Sequence, residues 1–127
     1  MVHDKHLIIL LLLMLQFKHL VIDWCWQPEY EWENKGTYGH WGGILHSLKN
    51  AVGTSICFLP FVGWNTLLYI LLIDYVIHYH VDWSKMNINR VFKLGPLTHP
   101  QFWWLTGFDQ FLHQVTYLFL IWRYFPN

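Results

Sequence analysis

The chain has 127 residues, of which 54% are hydrophobic, 20% aromatic and only 13% charged. That is chain enough for one domain at most, with too little polar surface for a soluble one. Eight Lys plus Arg against eight Asp plus Glu leave no net charge, and without a basic stripe a nucleic-acid partner has no electrostatic support.

Four long apolar stretches follow one another, each close to the roughly 20 residues that a helix needs to cross about 30 Å of hydrocarbon. The first, residues 6 to 23, contains LIILLLLMLQFKHLVI. Lys5 ahead of an apolar core is also a signal-peptide feature, but the small-residue cleavage site is missing and QFKHLVIDW follows, so the stretch is expected to be a helix. A polar, Trp-rich loop, QPEYEWENKGTYGHWGG, leads to the second stretch, from about Ile44 to Phe61. Pro60 and Gly63 break the chain before the third, from about Trp64 to Val81. A basic loop, SKMNINRVFKLGPLTHP, precedes the fourth, from about Gln101 to Tyr124. Trp and Tyr crowd the helix ends, as interfacial belts do. The expected fold is all-α: residues 1–127 form one domain of a polytopic membrane protein, four transmembrane helices in an up-down-up-down bundle. Lipids surround such a bundle, and homo-oligomer formation stays open. Two cysteines, Cys25 and Cys57, are too few for a disulfide framework and form no CxxC pair.

One spacing recurs. His19 and Asp23 close the first helix, His78 and Asp82 close the third, and Asp109 and His113 lie early in the fourth, each pair four residues apart. At 3.6 residues per turn both members of a pair share one helical face. An up-down-up-down course brings these helix ends to the same membrane face, where His46 of GGILHSL joins them. Each Asp costs roughly 2.5 to 3.5 kcal/mol in a membrane helix, and three at one depth repel unless a cation or proton sits between them. A divalent metal meets that requirement. Imidazole and carboxylate ligands suit zinc, manganese or iron, and seven ligands exceed what one tetrahedral ion can use, so two ions bridged by a carboxylate fit the count. Such a site activates water for attack on a phosphoryl or carbonyl centre. Gln27 and Gln110 are expected to orient water or substrate by hydrogen bonds, with one of the carboxylates serving as general base.

The bland alternative at each position is an interfacial His or Asp solvated by water. For the whole set it is a hydrogen-bonded polar layer or a proton relay. His40 competes with His46, His80 points away from the His78 stripe, and His99 precedes a proline in a loop. Asp74, a turn or two deeper than His78 and Asp82, can orient His78 or pair with a polar group of the fourth helix. Lys35 and Lys85 lie close enough to the same face to bind an anionic group. Trp24, Trp26, Trp103 and Trp104 read as interface anchors. The far halves of the first two helices, LIILLLLML and AVGTSICFLPF, carry little to relay a proton, which argues against a conduit.

Taken in order, HLVIDWCWQPEYEWENKG, the Leu-His before Ser47, HYHVD and GFDQFLHQVT resemble the small bacterial and phage membrane proteins grouped as domain-of-unknown-function family 3307. The resemblance runs from His19 to Thr116. Its most specific parts are His19, Asp23 and Gln27 spaced by four, Asn34 with Lys35, and Asp109-Gln110 with His113. In YVIHYHVD two histidines compete, and the spacing to Asp82 selects His78. The resemblance implies a membrane fold, with a bacterial inner membrane as the expected setting, and no established activity. A weaker likeness, of site type alone, is to membrane-bound metal-dependent hydrolases with His and Asp on helices. The expected function is hydrolysis of a lipid-like or amphiphilic ester or phosphoester. The rivals are a non-enzymatic membrane protein, such as a phage factor acting on the host envelope, and an ion or proton conduit. Lys35, Lys85, Arg90 and Lys93 on the site face, against Lys5 and Arg123 opposite, put the site in the cytoplasm.

Overall fold

A computed structural model describes residues 2–126, whose regular elements are all helices, with no strand among them. Helix α1, Val2–His19, runs directly into a π-helical turn, Leu20–Cys25. Next come a short helix α2, Glu29–Asn34, and three long ones: α3, Trp41–Phe58; α4, Trp64–Val91; and α5, Pro100–Tyr124. Local chemistry explains the starts. Nδ1 of His40 accepts the N–H of Gly42 at 3.0 Å and caps α3, and Pro100 opens α5 at a position whose N–H has no partner in a helix.

The four apolar stretches each become a helix, but two expected loops are partly helical. EYEWEN forms α2, where Glu29 and Glu31 in the first turn complement the helix dipole. The third helix runs on past Val81 to Val91, so SKMNINRV belongs to α4. No Gly or Pro interrupts it before Gly95. Asn87 and Arg90 in this extension donate to the carbonyl of Gly36 at 2.9 and 3.2 Å, tying it to the segment after α2. Two glycines let α2 lie close on α3. A Cβ at Gly42 would stand 2.5 Å from the carbonyl oxygen of Tyr30, and one at Gly43 would stand 3.1 Å from Cα of Lys35.

Successive long helices run antiparallel. His19 at the end of α1, His46 near the start of α3, His78 midway along α4 and His113 midway along α5 meet in one layer. Leu11 and Leu15 of α1, Phe58 of α3, Ile70 of α4 and Leu120 of α5 pack together in another. Among the described residues, buried polar side chains outnumber buried hydrophobic ones, while the outward faces carry Leu, Ile, Phe and Trp. This is the reverse of a water-soluble protein's arrangement.

One helix, Asp4–Cys25, is long and apolar enough to cross a membrane. Hydropathy alone does not extend that to all four. Asp74, His78 and Asp82 in α4, with Asp109 and His113 in α5, depress the averages of helices whose outer faces are apolar.

Candidate metal centre

The end of α1 supplies His19, and the π-helical turn, whose wider winding shifts the face that follows, supplies Asp23. His46 comes from the second turn of α3, His78 and Asp82 from one face of α4, and Asp109 and His113 from one face of α5. All seven are buried.

Six of them form two groups that share one residue. Ligand atoms of Asp23, His46, His78 and Asp82 lie within 4.8 Å of one another, as do those of Asp82, Asp109 and His113. In the first group Nε2 of His46 stands 2.9 Å from Oδ1 of Asp23 and 3.2 Å from Oδ2 of Asp82. Nε2 of His78 is 3.4 Å from the same two oxygens. In the second, Nε2 of His113 lies 3.3 Å from Oδ1 of Asp82 and 3.2 Å from Oδ1 of Asp109. Asp82 thus turns one oxygen to each group. The His78 and His113 rings stack at 4.0 Å, side by side, each nitrogen serving its own group.

The donor set fits a divalent ion. Imidazole nitrogens and carboxylate oxygens converge, and buried Oδ1 of Asp109 makes no well-formed hydrogen bond among the described residues, meeting Nε2 of His113 at 3.2 Å. Nδ1 of His46 faces Oε2 of Glu31 at 3.3 Å, so its N–H points at a carboxylate and leaves Nε2 free to ligate. Glu31 in turn pairs with Lys49 at 2.8 Å. His78 lacks such support, its Nδ1 having no partner among the described residues.

His19 joins neither group. Its Nε2 faces Oε1 of Gln110 at 2.6 Å and Oδ2 of Asp23 at 3.5 Å, and its Nδ1 faces the hydroxyl of Tyr117 at 3.0 Å. Gln110 also donates through Nε2 to Oδ2 of Asp109 at 3.1 Å and Oδ2 of Asp23 at 3.4 Å, linking the two groups from above. Gln27 donates to the carbonyl of Asp23 at 2.5 Å, and its buried Oε1 has no partner among the described residues. Both glutamines line a cleft of about 840 Å³ that reaches Asp23, Lys35 and Lys85.

Two lysines offset part of the negative charge. Nζ of Lys35 lies 3.1 Å from Oδ2 of Asp82, and Nζ of Lys85 lies 3.1 Å from Oδ2 of Asp109. Burial pulls the Lys35 ammonium down, but the carboxylates of Asp82, Asp23 and Asp109 outweigh it and hold its pKa above the usual lysine value. Lys35 is therefore a fixed cation at neutral pH.

The family described as "Protein of unknown function (DUF3307)" matches residues 7–127, nearly the whole length. The chain belongs to that family. No curated protein and no solved structure matches it.

In this DUF3307 chain the competing histidines lie elsewhere. His40 caps α3, and His80 is exposed and bonded to Tyr38 at 3.0 Å. Asp74 accepts a hydrogen bond from Thr54 at 2.6 Å instead of orienting His78. A polar column lies beneath the two groups. Nζ of Lys18 donates to Tyr117 at 2.9 Å and to Asn50 at 3.3 Å, and Asn50 donates to Asp23 at 3.4 Å. Asn50 and Thr54, one and two turns past His46, carry polarity roughly 6 and 12 Å further down α3, deeper than the apolar look of AVGTSICFLPF suggests. The column stops at the apolar cluster of Leu11, Leu15, Phe58, Ile70 and Leu120. Glu31 was hidden because its helix is too short to show a period. Lys18, Asn50 and Tyr117 were hidden because each stands alone in an apolar run.

Proposed function

We propose that this DUF3307 protein is a multi-pass membrane protein with a binuclear metal centre near one face, acting as a hydrolase on an amphiphilic ester or phosphoester. The observation that carries the reading is Asp82, whose two oxygens face two separate His and Asp groups beneath an open cleft that reaches them at Asp23. The inverted burial supports the membrane setting. On α5 the exposed apolar face runs from Trp104 to Trp122, which is ~27 Å of helix and close to the thickness of the hydrocarbon layer. Asp109 and His113 lie five and nine residues inside that band, roughly 8 and 14 Å from its Trp104 edge, and the cleft runs from that edge down to Gln110, where an amphiphile's head can follow it. The excess of Lys35, Lys85, Arg90 and Lys93 over Lys5 and Arg123 favours a cytoplasmic site. Exposed Cys25 beside Asp23 should then react with an impermeant thiol reagent only after cells are opened; labelling of intact cells would reverse the orientation.

Divalent ions there would supply Lewis acidity and a water of lowered pKa. The protein's own residues do the rest. Asp23, Asp82 and Asp109 with His46, His78 and His113 hold the ions, Glu31 fixes the His46 tautomer, and Gln110 and Gln27 offer hydrogen bonds from the cleft side. The test is turnover of p-nitrophenyl phosphate and p-nitrophenyl ester substrates by protein purified in neutral detergent. Turnover that a chelator abolishes, zinc or manganese restores and Asp82→Asn lacks supports the reading. Turnover indifferent to chelator and to that substitution contradicts it.

One observation favours a second reading, a structural polar layer in a non-enzymatic membrane protein. Lys35 and Lys85 already pair with Asp82 and Asp109, so one proton on a histidine would neutralise the three aspartates. A conduit gains nothing, because the apolar cluster closes the column.

A further inference from the structure

The cleft has two features that a site for water-soluble esters would not need. Its walls are aromatic, with Trp24 and Trp32 on one side and Phe102 and Trp103 on the other. It also opens between the π-helical turn after α1 and the first turns of α5. Below it α1 and α5 are tied by hydrogen bonds between Gln16 and Gln114 and between His19 and Gln110, and Trp24 donates to Gln110 at 3.2 Å. Beside the cleft the same two elements present apolar surface, Leu20 at 52% and Phe111 at 58% exposure. On the reading of the helices as membrane spans, an amphiphile at the membrane surface can lay its chain against the tryptophans while its head enters the cleft.

The floor selects the charge. Lys35 and Lys85 bring two buried or nearly buried ammonium groups to the rim of the ligand groups, and Arg90 stands further out in the same cleft. Three aspartates against two lysines leave one negative charge. A single divalent ion turns that into one positive charge, and two ions into three. A neutral ester leaves this excess unanswered in a site of low dielectric, where unpaired charge is most costly. A phosphate ester answers it.

We propose that this cleft admits a phosphate monoester of a lipid alcohol, with the phosphate drawn to Lys35 and Lys85 and the chain lying between Trp24 and Trp103. This rests on the hydrolase reading above and narrows its substrate. In the reaction the water oxygen forms a new bond to phosphorus, the ester P–O bond breaks, and the leaving alkoxide takes the proton that water gives up. The products are a neutral lipid alcohol, which stays in the membrane, and hydrogen phosphate, which leaves to water.

The test uses the full chain in neutral detergent, with its metal content measured, and three probes: hexadecyl phosphate, inorganic phosphate and uncharged 1-hexadecylglycerol. Binding is read by thermal shift and turnover by phosphate release. Hexadecyl phosphate should bind at least tenfold more tightly than either control and release phosphate. Lys85→Met should lose that preference at unchanged metal content, and Lys85→Arg should keep it. Trp103→Ala should weaken hexadecyl phosphate more than inorganic phosphate. Equal binding of inorganic phosphate overturns the role of the lipid chain, and equal binding of 1-hexadecylglycerol overturns the phosphate selection. Metal-replete protein without the preference defeats this inference alone, whereas metal-free wild type defeats the hydrolase reading beneath it as well.

Discussion

Asp82 on α4 reaches across to His113 on α5, its Oδ1 standing 3.3 Å from the imidazole Nε2. Its other oxygen stands 3.2 Å from Nε2 of His46. One carboxylate therefore belongs to both ligand groups, whereas Asp109 belongs only to the second. Asp109→Asn should remove the ion of that group and spare the other, lowering bound metal by about half, as expected for a two-ion centre bridged by one residue. Lys85 loses its partner in this variant but keeps some solvent, its side chain being 14% exposed, so the helices should stay folded. Elemental analysis beside a His99→Ala control checks this. If the residues form only a hydrogen-bonded layer, the uncharged amide leaves thermal stability unchanged or raised.

Glu31 acts on the centre through His46. Its Oε2 faces Nδ1 at 3.3 Å and Lys49 holds it from behind at 2.8 Å. Glu31→Gln keeps the size but removes the charge that orients and enriches the imidazole. Losing such a partner weakens metal affinity by about 10- to 100-fold. Competition with a chromophoric chelator measures it, and an affinity equal to wild type would show that Glu31 serves only the packing of α2.

The parts of the site that could be read ahead of the structure are those written as a period. His78 with Asp82 and Asp109 with His113 sit four apart on regular helix, so spacing translated directly into a shared face. His19 with Asp23 has the same spacing, but the chain winds as a π-helix from Leu20, and only Asp23 enters a ligand group while His19 turns to Gln110 and Tyr117. Glu31 and Lys35 escaped as site residues of the first rank because close packing of α2 on Gly42 and Gly43 brings them in, a tertiary effect with no local signature. The four helices were legible because each outer face is apolar. The end of α4 was not, since SKMNINRV is polar and its helix is held by bonds to Gly36.

Lys18 is a buried cation beneath the centre, bonded to Tyr117 and Asn50, and buried Asp74 shares the polar column with it without a direct ion pair. Lys18→Met should leave Asp74 without a compensating charge and Tyr117 and Asn50 without a buried donor, at a cost of about 1–3 kcal/mol. Lys18→Met combined with Asp74→Asn removes both charges and should recover part of the loss. The check is the unfolding midpoint of the two variants in one neutral detergent. A double variant no more stable than the single one would show that the two charges do not compensate.

The most direct measurement is the metal-to-protein ratio of the wild-type chain and Asp82→Asn, each purified in neutral detergent without chelator, with unfolding midpoints before and after chelation. We expect about two ions per wild-type chain and a sharp loss from both groups in Asp82→Asn. An ion at about a hundredfold its dissociation constant stabilises by roughly 2.7 kcal/mol, so chelation should lower the wild-type midpoint by about 10 °C for each ion lost at this chain length. Asp82→Asn should lose much less. A wild-type chain that carries no metal, or whose midpoint ignores the chelator, would contradict the account.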